Sequence, residues 1–192
     1  SLRGGDVPGN EKRLDRFNYV LKPLRRLIFK KSLAVVANSP GLKELAKRAD
    51  PVSVSVIANG VDTMFFSLAA ELKQLSPLQF VFLGRLSEQK NLFYLLEQLC
   101  VFDKTTSKDF IFHLAGDGPL RKALEKKAGQ LGLSEKIKWH GWIDKKRARK
   151  ILHESHCLIN PSFCEGMPNS VLEAMACGLP VIASDVAGNN SL

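Results

Sequence analysis

Residues 160–185 read Asn160-Pro-Ser-Phe-Cys-Glu-Gly-Met-Pro-Asn-Ser-Val-Leu-Glu-Ala-Met-Ala-Cys-Gly-Leu-Pro-Val-Ile-Ala-Ser-Asp185, and the rest of the chain is read outward from them. An apolar strand ends at Asn160, a glycine-proline turn carries Glu165, and a helix is expected from Pro168 to Cys177. Gly178 stops it, and a second apolar strand follows at Pro180–Ala183. A turn feeding a helix N-terminus offers unpaired N–H groups and the positive end of the helix dipole, the usual seat of a phosphate. Asn169, Ser170 and Val171 would supply those amides, and Pro168 gives up a donor only where the helix has no use for it. Glu165 in the turn and Glu173, eight positions further on, can both border the same space, where carboxylates would grip sugar or ribose hydroxyls. The spacing has a second reading: Ser170-Val-Leu-Glu173 also fits a capping box. Taken alone, it favours the cap.

Upstream, strands and helices alternate. Strands are expected at Leu78–Leu83, Phe110–Ala115, Ile137–Trp139 and Cys157–Asn160. Helices are expected at Asn91–Cys100, Pro119–Leu131 and Lys145–Leu152, with Leu92, Leu95, Leu96 and Leu99 on one face of the first. Apolar strands separated by helices predict a parallel sheet covered on both faces. Ligands of such sheets lie beyond the carboxyl ends of the strands, where Arg85, Gly116 and Glu165 all fall. Nearer the start, Leu33–Asn38 and Val52–Ile57 read as strands around a helix that opens at Ser39-Pro40 and runs to Arg48. The polar stretch Thr63–Pro77 reads as a connection between domains.

The net charge is +9, and the first 50 residues hold twelve Lys and Arg against five Asp and Glu. From Asp15 to Lys31, Phe17, Val20, Leu21, Leu24, Leu27 and Ile28 can share a helical face, with basic residues elsewhere. Such a segment either packs with a basic outer face or lies on an anionic membrane surface. Nucleic acid is not expected, because the interleaved aromatic and basic residues of a base-stacking platform are missing. No apolar run approaches the roughly 18 residues of a membrane span, and no signal-peptide pattern opens the chain. Four cysteines without paired metal spacing make neither a zinc site nor a disulfide framework. These features point to the cytoplasm, and only the membrane alternative for residues 15–31 would give a peripheral position on the inner face of the membrane. The opening Ser-Leu-Arg-Gly-Gly-Asp-Val-Pro-Gly lacks a methionine and reads as loop, so sequence upstream of it is expected.

Ser162 to Asp185 closely resembles the signature of family 4 glycosyltransferases, retaining GT-B enzymes built from two Rossmann-like domains. Four further segments fall in the family's order: Asn59-Gly-Val-Asp62, Gly84-Arg-Leu-Ser-Glu-Gln-Lys90, Ala115-Gly-Asp-Gly-Pro-Leu120 and His140-Gly141. The resemblance implies an α/β fold that is the C-terminal half of GT-B, with residues 1–62 the tail of the N-terminal domain and its connection, and 63–192 the nucleotide-sugar domain. It implies that Arg85 and Lys90 grip the donor diphosphate, that Glu165 positions the transferred sugar and that Glu173 holds the ribose hydroxyls. Gly84, Gly116, Gly166, Met167, Asn169, Ser170 and Val171 would line the donor, and the His140–Ile143 stretch would frame its base. Trp142 would pack there or in the core.

The implied reaction moves a sugar with retention from a UDP- or GDP-linked donor to a saccharide or lipid-linked acceptor, in surface polysaccharide or lipopolysaccharide synthesis. No Asp-x-Asp motif is present, and neither a metal nor a cofactor is expected. His113, His140, His153 and His156 make no convincing metal set. Two departures stand out: Asn91 occupies a position where the family commonly has glycine, and Ser191 one where glutamate is frequent. The competing readings are a sugar-nucleotide epimerase of related fold and a non-enzymatic basic binding module.

Overall fold

The structure is a computed structural model, and it describes residues 1–2, 7–8, 15–69 and 76–192. Most of the expected opening loop, the side chain of Phe17 and the middle of the expected connection at 63–77 lie outside the described residues. Two compact units emerge: residues 1–60 with 163–169 and 185–192, and residues 61–162 with 170–184.

In the first unit, α1 (Asp15–Val20) and α2 (Lys22–Lys31) precede β1 (Val35–Ala37), α3 (Pro40–Ala49) and β2 (Val54–Val56). β1 and β2 pair in parallel, Val35 opposite Val54. Ser39 caps α3 as expected, its hydroxyl accepting from Leu42 N–H at 3.2 Å. The single amphipathic helix expected over 15–31 is two helices broken at Leu21 (φ −81°, ψ 0°), with Pro23 in the first turn of α2.

The orientation of α2 differs from the pattern-based expectation. Leu24, Leu27 and Ile28 are each half exposed, whereas Phe29 packs on the apolar core of Val35, Ala37, Leu42, Ala46 and Val54. The reason lies at Asp50, which is 3% exposed. A buried carboxylate must be paired, and Arg25 Nε donates to it at 2.6 Å while Arg26 Nε donates at 3.0 Å. Arg25 and Phe29, four residues apart, therefore form the inward stripe of α2.

The second unit holds β3 (Leu78–Leu83), α4 (Leu92–Thr105), β4 (Phe110–Ala115), α5 (Arg121–Gln130), β5 (Ile137–Gly141), α6 (Lys145–Glu154), β6 (Cys157–Asn160), α7 (Asn169–Ala176) and β7 (Val181–Ala183). The first residue of α7 is counted with the first unit. The strands form a five-stranded sheet in the order β5-β4-β3-β6-β7, and every pairing is parallel. One face carries Phe82, Phe110, Phe112 and Leu114 against Leu92, Leu95, Leu96 and Leu99 of α4 and Leu124 and Ala128 of α5. The other carries Val81, Leu83, Ala115 and Leu158 against Ile151 and Leu152 of α6 and Val171 and Ala174 of α7. Each fully buried Leu or Phe contributes about 2 kcal/mol of transfer free energy, which explains why near-continuous apolar strands mark the sheet.

α4 outruns its expected end at Cys100 by five residues. Phe102 supplies the reason: its ring meets Phe80 and Phe110 edge-on, centroids 5.8 and 5.4 Å apart, so the extra turn extends the core. The connection expected over 63–77 is not merely polar linker at its start. Phe66 is 2% exposed and joins the second core with Val61 and Phe65, while Asp62 Oδ1 accepts from Met64 and Phe65 N–H, both at 3.0 Å.

Candidate functional site

In the sheet of the second unit, chain order runs outward from β3 through β4 to β5 on one side and through β6 to β7 on the other. The switch between β3 and β6 is the place where open parallel sheets bind ligands. Gly84 and Arg85 follow β3 directly, and Arg85 is exposed. This loop is laced to the one after β4: Gly84 N donates to Ala115 O at 3.0 Å, Leu86 N to Asp117 O at 2.9 Å and Leu120 N to Leu86 O at 3.2 Å. Gly116, at φ +141°, has a packing reason the sequence did not show. A Cβ there would stand 1.8 Å from the Gly84 carbonyl oxygen, so no larger residue lets the two loops meet. Gly116 sets the shape of the Gly84-Arg85 loop from behind.

Lys90 ends a single 3₁₀ turn, Glu88–Lys90. Its Cε is 3.8 Å from a Cβ built on Gly84, so its side chain folds back toward the loop that carries Arg85. Asn91 follows in the left-handed region, φ +53° and ψ +36°. This explains the departure noted above: the position needs positive φ, which glycine adopts freely and asparagine better than other residues with a Cβ. Arg85 and Lys90 thus leave one short loop as a guanidinium and an ammonium, both suited to a diphosphate.

At the end of β5, Gly141 accepts from Gly116 N–H through its carbonyl at 2.8 Å and has φ +66°. Trp142, next in the chain, is 80% exposed, which overturns its core reading. On α7, the capping-box reading fails by position. The helix begins at Asn169, so Ser170 is its second residue and Glu173 its fifth, whereas a box needs the cap and third positions. Glu173 is half-buried; burial pushes its carboxyl pKa up, and the Lys145 ammonium at the start of α6 pulls it partly back. Val171 is buried in the core of the second unit, and Ser170 is partly exposed.

Glu165, Gly166, Met167 and Asn169 belong to the first unit. Glu165 is 5% exposed, and Met167 is buried at 8%. Asn59, more than a hundred positions earlier, ties this segment down. Its Nδ2 donates to Met167 O at 2.8 Å and to Asn169 Oδ1 at 3.0 Å. Gly188 backs the same turn, since a Cβ on it would meet Gly166 O at 2.4 Å and Glu165 C at 2.7 Å. Nothing in the local pattern around Asn59 or Gly188 marks them as holders of this turn; Asn59 was reached only through its place in the ordered motifs, and Gly188 lies outside them.

Among the described residues no group of three or more His, Cys, Asp and Glu side chains is placed to hold a metal ion. His153 instead bonds Ser67 O at 2.8 Å, and His156 Nδ1 accepts from Gln79 N–H at 2.9 Å. No described helix is long and apolar enough to cross a membrane.

Comparison with known proteins agrees with the ordered motifs. The family described as glycosyl transferases group 1 matches residues 66–192. The Escherichia coli UDP-Gal:alpha-D-GlcNAc-diphosphoundecaprenol alpha-1,3-galactosyltransferase is 36% identical over 162 residues, covering 79% of this chain and 41% of that protein. The apo structure of the lipopolysaccharide outer core galactosyltransferase WaaB superposes with a TM-score of 0.66 at 27% identity, over 80% of this chain and 43% of that one. Anabaena Alr3699/HepE, solved with UDP and glucose, gives a TM-score of 0.76 at 20% identity, over 91% of this chain and 50% of that one, which speaks to fold alone. The chain spans between a quarter and about two-fifths of the length of the curated relatives it matches, 41% of the Escherichia coli protein and 25% of a Methanocaldococcus jannaschii one. With a parallel α/β sheet, five motifs in order and a family match over two-thirds of its residues, the chain belongs to the group 1 glycosyltransferases of GT-B fold.

Proposed function

We propose that this chain is the donor-binding part of a retaining, metal-independent hexosyltransferase that moves a sugar from a UDP- or GDP-linked donor to a saccharide or lipid-linked acceptor in surface polysaccharide or lipopolysaccharide synthesis. The observation that carries the proposal is the loop after β3, where Arg85 and Lys90 stand at the switch point of a parallel sheet. Departure of a nucleoside diphosphate loads negative charge on its phosphates, and fixed cations aimed at that charge lower the barrier most. Arg85 and Lys90 take this role. Gly84 and Gly116 shape their loop, and the amides at the start of α7, Asn169, Ser170 and Val171, add the helix N-terminus.

Glu173 accepts from the ribose hydroxyls, and its half-buried carboxylate is suited to that task because hydroxyl donors replace the water it has lost. Glu165, with Gly166 and Met167 beside it in the chain, contacts the transferred sugar. Trp142 offers an exposed indole to the nucleobase. The names of the relatives support the donor and acceptor classes: the Escherichia coli protein is named for UDP-Gal and a diphosphoundecaprenol-linked sugar. The half-exposed Leu24, Leu27 and Ile28 beside Arg26, Lys30 and Lys31 on α2 support a place on an anionic cytoplasmic membrane surface. Flotation with vesicles containing and lacking anionic lipid tests that place, and equal recovery would remove it.

Calorimetric titration of UDP and GDP into the protein and its Glu173→Gln and Glu125→Gln variants tests the site. Glu173→Gln is expected to weaken the bound nucleotide about tenfold, the equivalent of one charge-assisted hydrogen bond, and Glu125→Gln to leave it unchanged. Equal effects would remove the ribose role.

A further inference from the structure

Three polar side chains cross the sheet on the face that otherwise buries Val81, Ala115 and Ile151. Gln79 on β3, His113 on β4 and His140 on β5 stand on neighbouring strands. Val81 is opposite His113, and His113 is opposite Lys138, so the file climbs diagonally toward the carboxyl edge. His113 is 4% exposed, and both its ring nitrogens are engaged: Nε2 with Gln79 Oε1 at 2.8 Å and Nδ1 with His140 Nε2 at 2.9 Å. The two imidazoles lie within 12° of one plane with centroids 5.1 Å apart, the geometry of an in-plane N–H···N bond between ring edges. The Gln79 backbone is itself clamped, donating to His156 Nδ1 at 2.9 Å and accepting from His156 N at 2.7 Å.

We propose that His113 is a positioning residue that holds, through His140, the 141–142 corner carrying Trp142. A neutral imidazole has one donor and one acceptor. The Gln79 oxygen can only accept, so His113 Nε2 donates to it, and His113 Nδ1 accepts from His140 Nε2–H. The corner beyond is then fixed at three points: the His140 ring, the Gly141 carbonyl on Gly116 N–H at 2.8 Å, and Ile143 in the core under α6. A second proton on His113 would set two donors face to face and break the link. Burial, His140, Lys138 and Arg147 together lower the His113 pKa to about 4. Around His140, burial, Arg147, Lys138 and Arg121 act in the same direction and Glu154 opposes them. His113 is the one polar side chain of β4, and the file it joins leads to the loop that carries Trp142. The link from this corner to the nucleobase rests on the function proposed above; the positioning of the corner does not.

Trp139 and Trp142 are the only tryptophans, so a Trp139→Phe background leaves Trp142 as sole reporter of the corner. In that background at neutral pH, His113→Phe is expected to lower the Trp142 fluorescence anisotropy. His113→Gln, which offers an acceptor and a donor as the neutral ring does, is expected to restore it. Anisotropy unchanged in both variants, or lowered equally in both, overturns the proposal. Should His113→Phe lack a cooperative urea transition, Gln79→Leu replaces it: it removes the far end of the file while keeping both backbone bonds to His156, and an unchanged anisotropy there overturns the proposal equally. The same samples are titrated with UDP and with GDP, where His113→Phe should weaken the bound nucleotide about tenfold, one hydrogen bond's worth of lost order. A mobile Trp142 with unaltered nucleotide affinity supports the positioning role and overturns the nucleobase contact.

Discussion

At the scale of single residues, backbone conformation decides positions that composition cannot. Asn91 at φ +53° carries a cost that a residue without a Cβ avoids. Asn91→Gly should therefore leave stability unchanged or raise it by up to about 1 kcal/mol, and Asn91→Ala should lower it by about 1 kcal/mol; urea midpoints measure both. Gly116 is stricter, because its missing Cβ leaves room for the Gly84 carbonyl. Gly116→Ala should cost about 3 kcal/mol or more by forcing apart two hydrogen-bonded loops, and thermal unfolding would register it as a large fall in Tm. The sequence marked Gly116 by its place after an apolar strand, and Asn91 only through the resemblance. Neither φ nor the 1.8 Å approach is visible in a string of residues, since both arise where separate strands end side by side.

At the scale of elements, legibility followed burial. β3 and β4 were readable to the residue because each is an apolar run closed by glycine, and their pairing puts six successive residues in register. α2 was misread because the partner that turns it, Asp50, lies 25 positions from Arg25, beyond the reach of helical periodicity. Removing that partner should be costly: Asp50→Ala strands the mostly buried Arg25 and is expected to destabilise the first unit by about 3 kcal/mol, followed by urea unfolding. The histidine file was likewise invisible, since Gln79, His113 and His140 are joined only by strand order. It makes a pH prediction. With the His113 pKa lowered from 6.5 to about 4, the unfolded chain binds the extra proton first as pH falls. The contribution of neutral His113 is complete above pH 6.5 and is lost toward about pH 4, with a slope of up to about 1.4 kcal/mol per pH unit. His113→Gln should flatten that part of the stability curve; an unchanged slope would mean that another group titrates there.

At the scale of the molecule, alternating strands and helices were enough to predict the parallel sheet, and the sheet order then puts Arg85 and Lys90 at its switch point. The candidate site was less legible than the fold, because an exposed cation on a loop looks the same in sequence whether it meets solvent or a diphosphate. The turn at Glu165 shows the same limit, since Asn59 and Gly188 hold it from remote parts of the chain. The central claim is that this chain recognises a nucleotide sugar through Arg85 and Lys90. Calorimetry of a panel of UDP- and GDP-sugars against the protein and its Arg85→Ala/Lys90→Ala double variant tests it directly. Saturable binding of a nucleotide sugar is expected, weakened about tenfold or more in the double variant by the loss of two charge-assisted contacts. Binding that is equal in both proteins, or absent for every nucleotide sugar while an oligonucleotide binds with steep salt dependence, would contradict it.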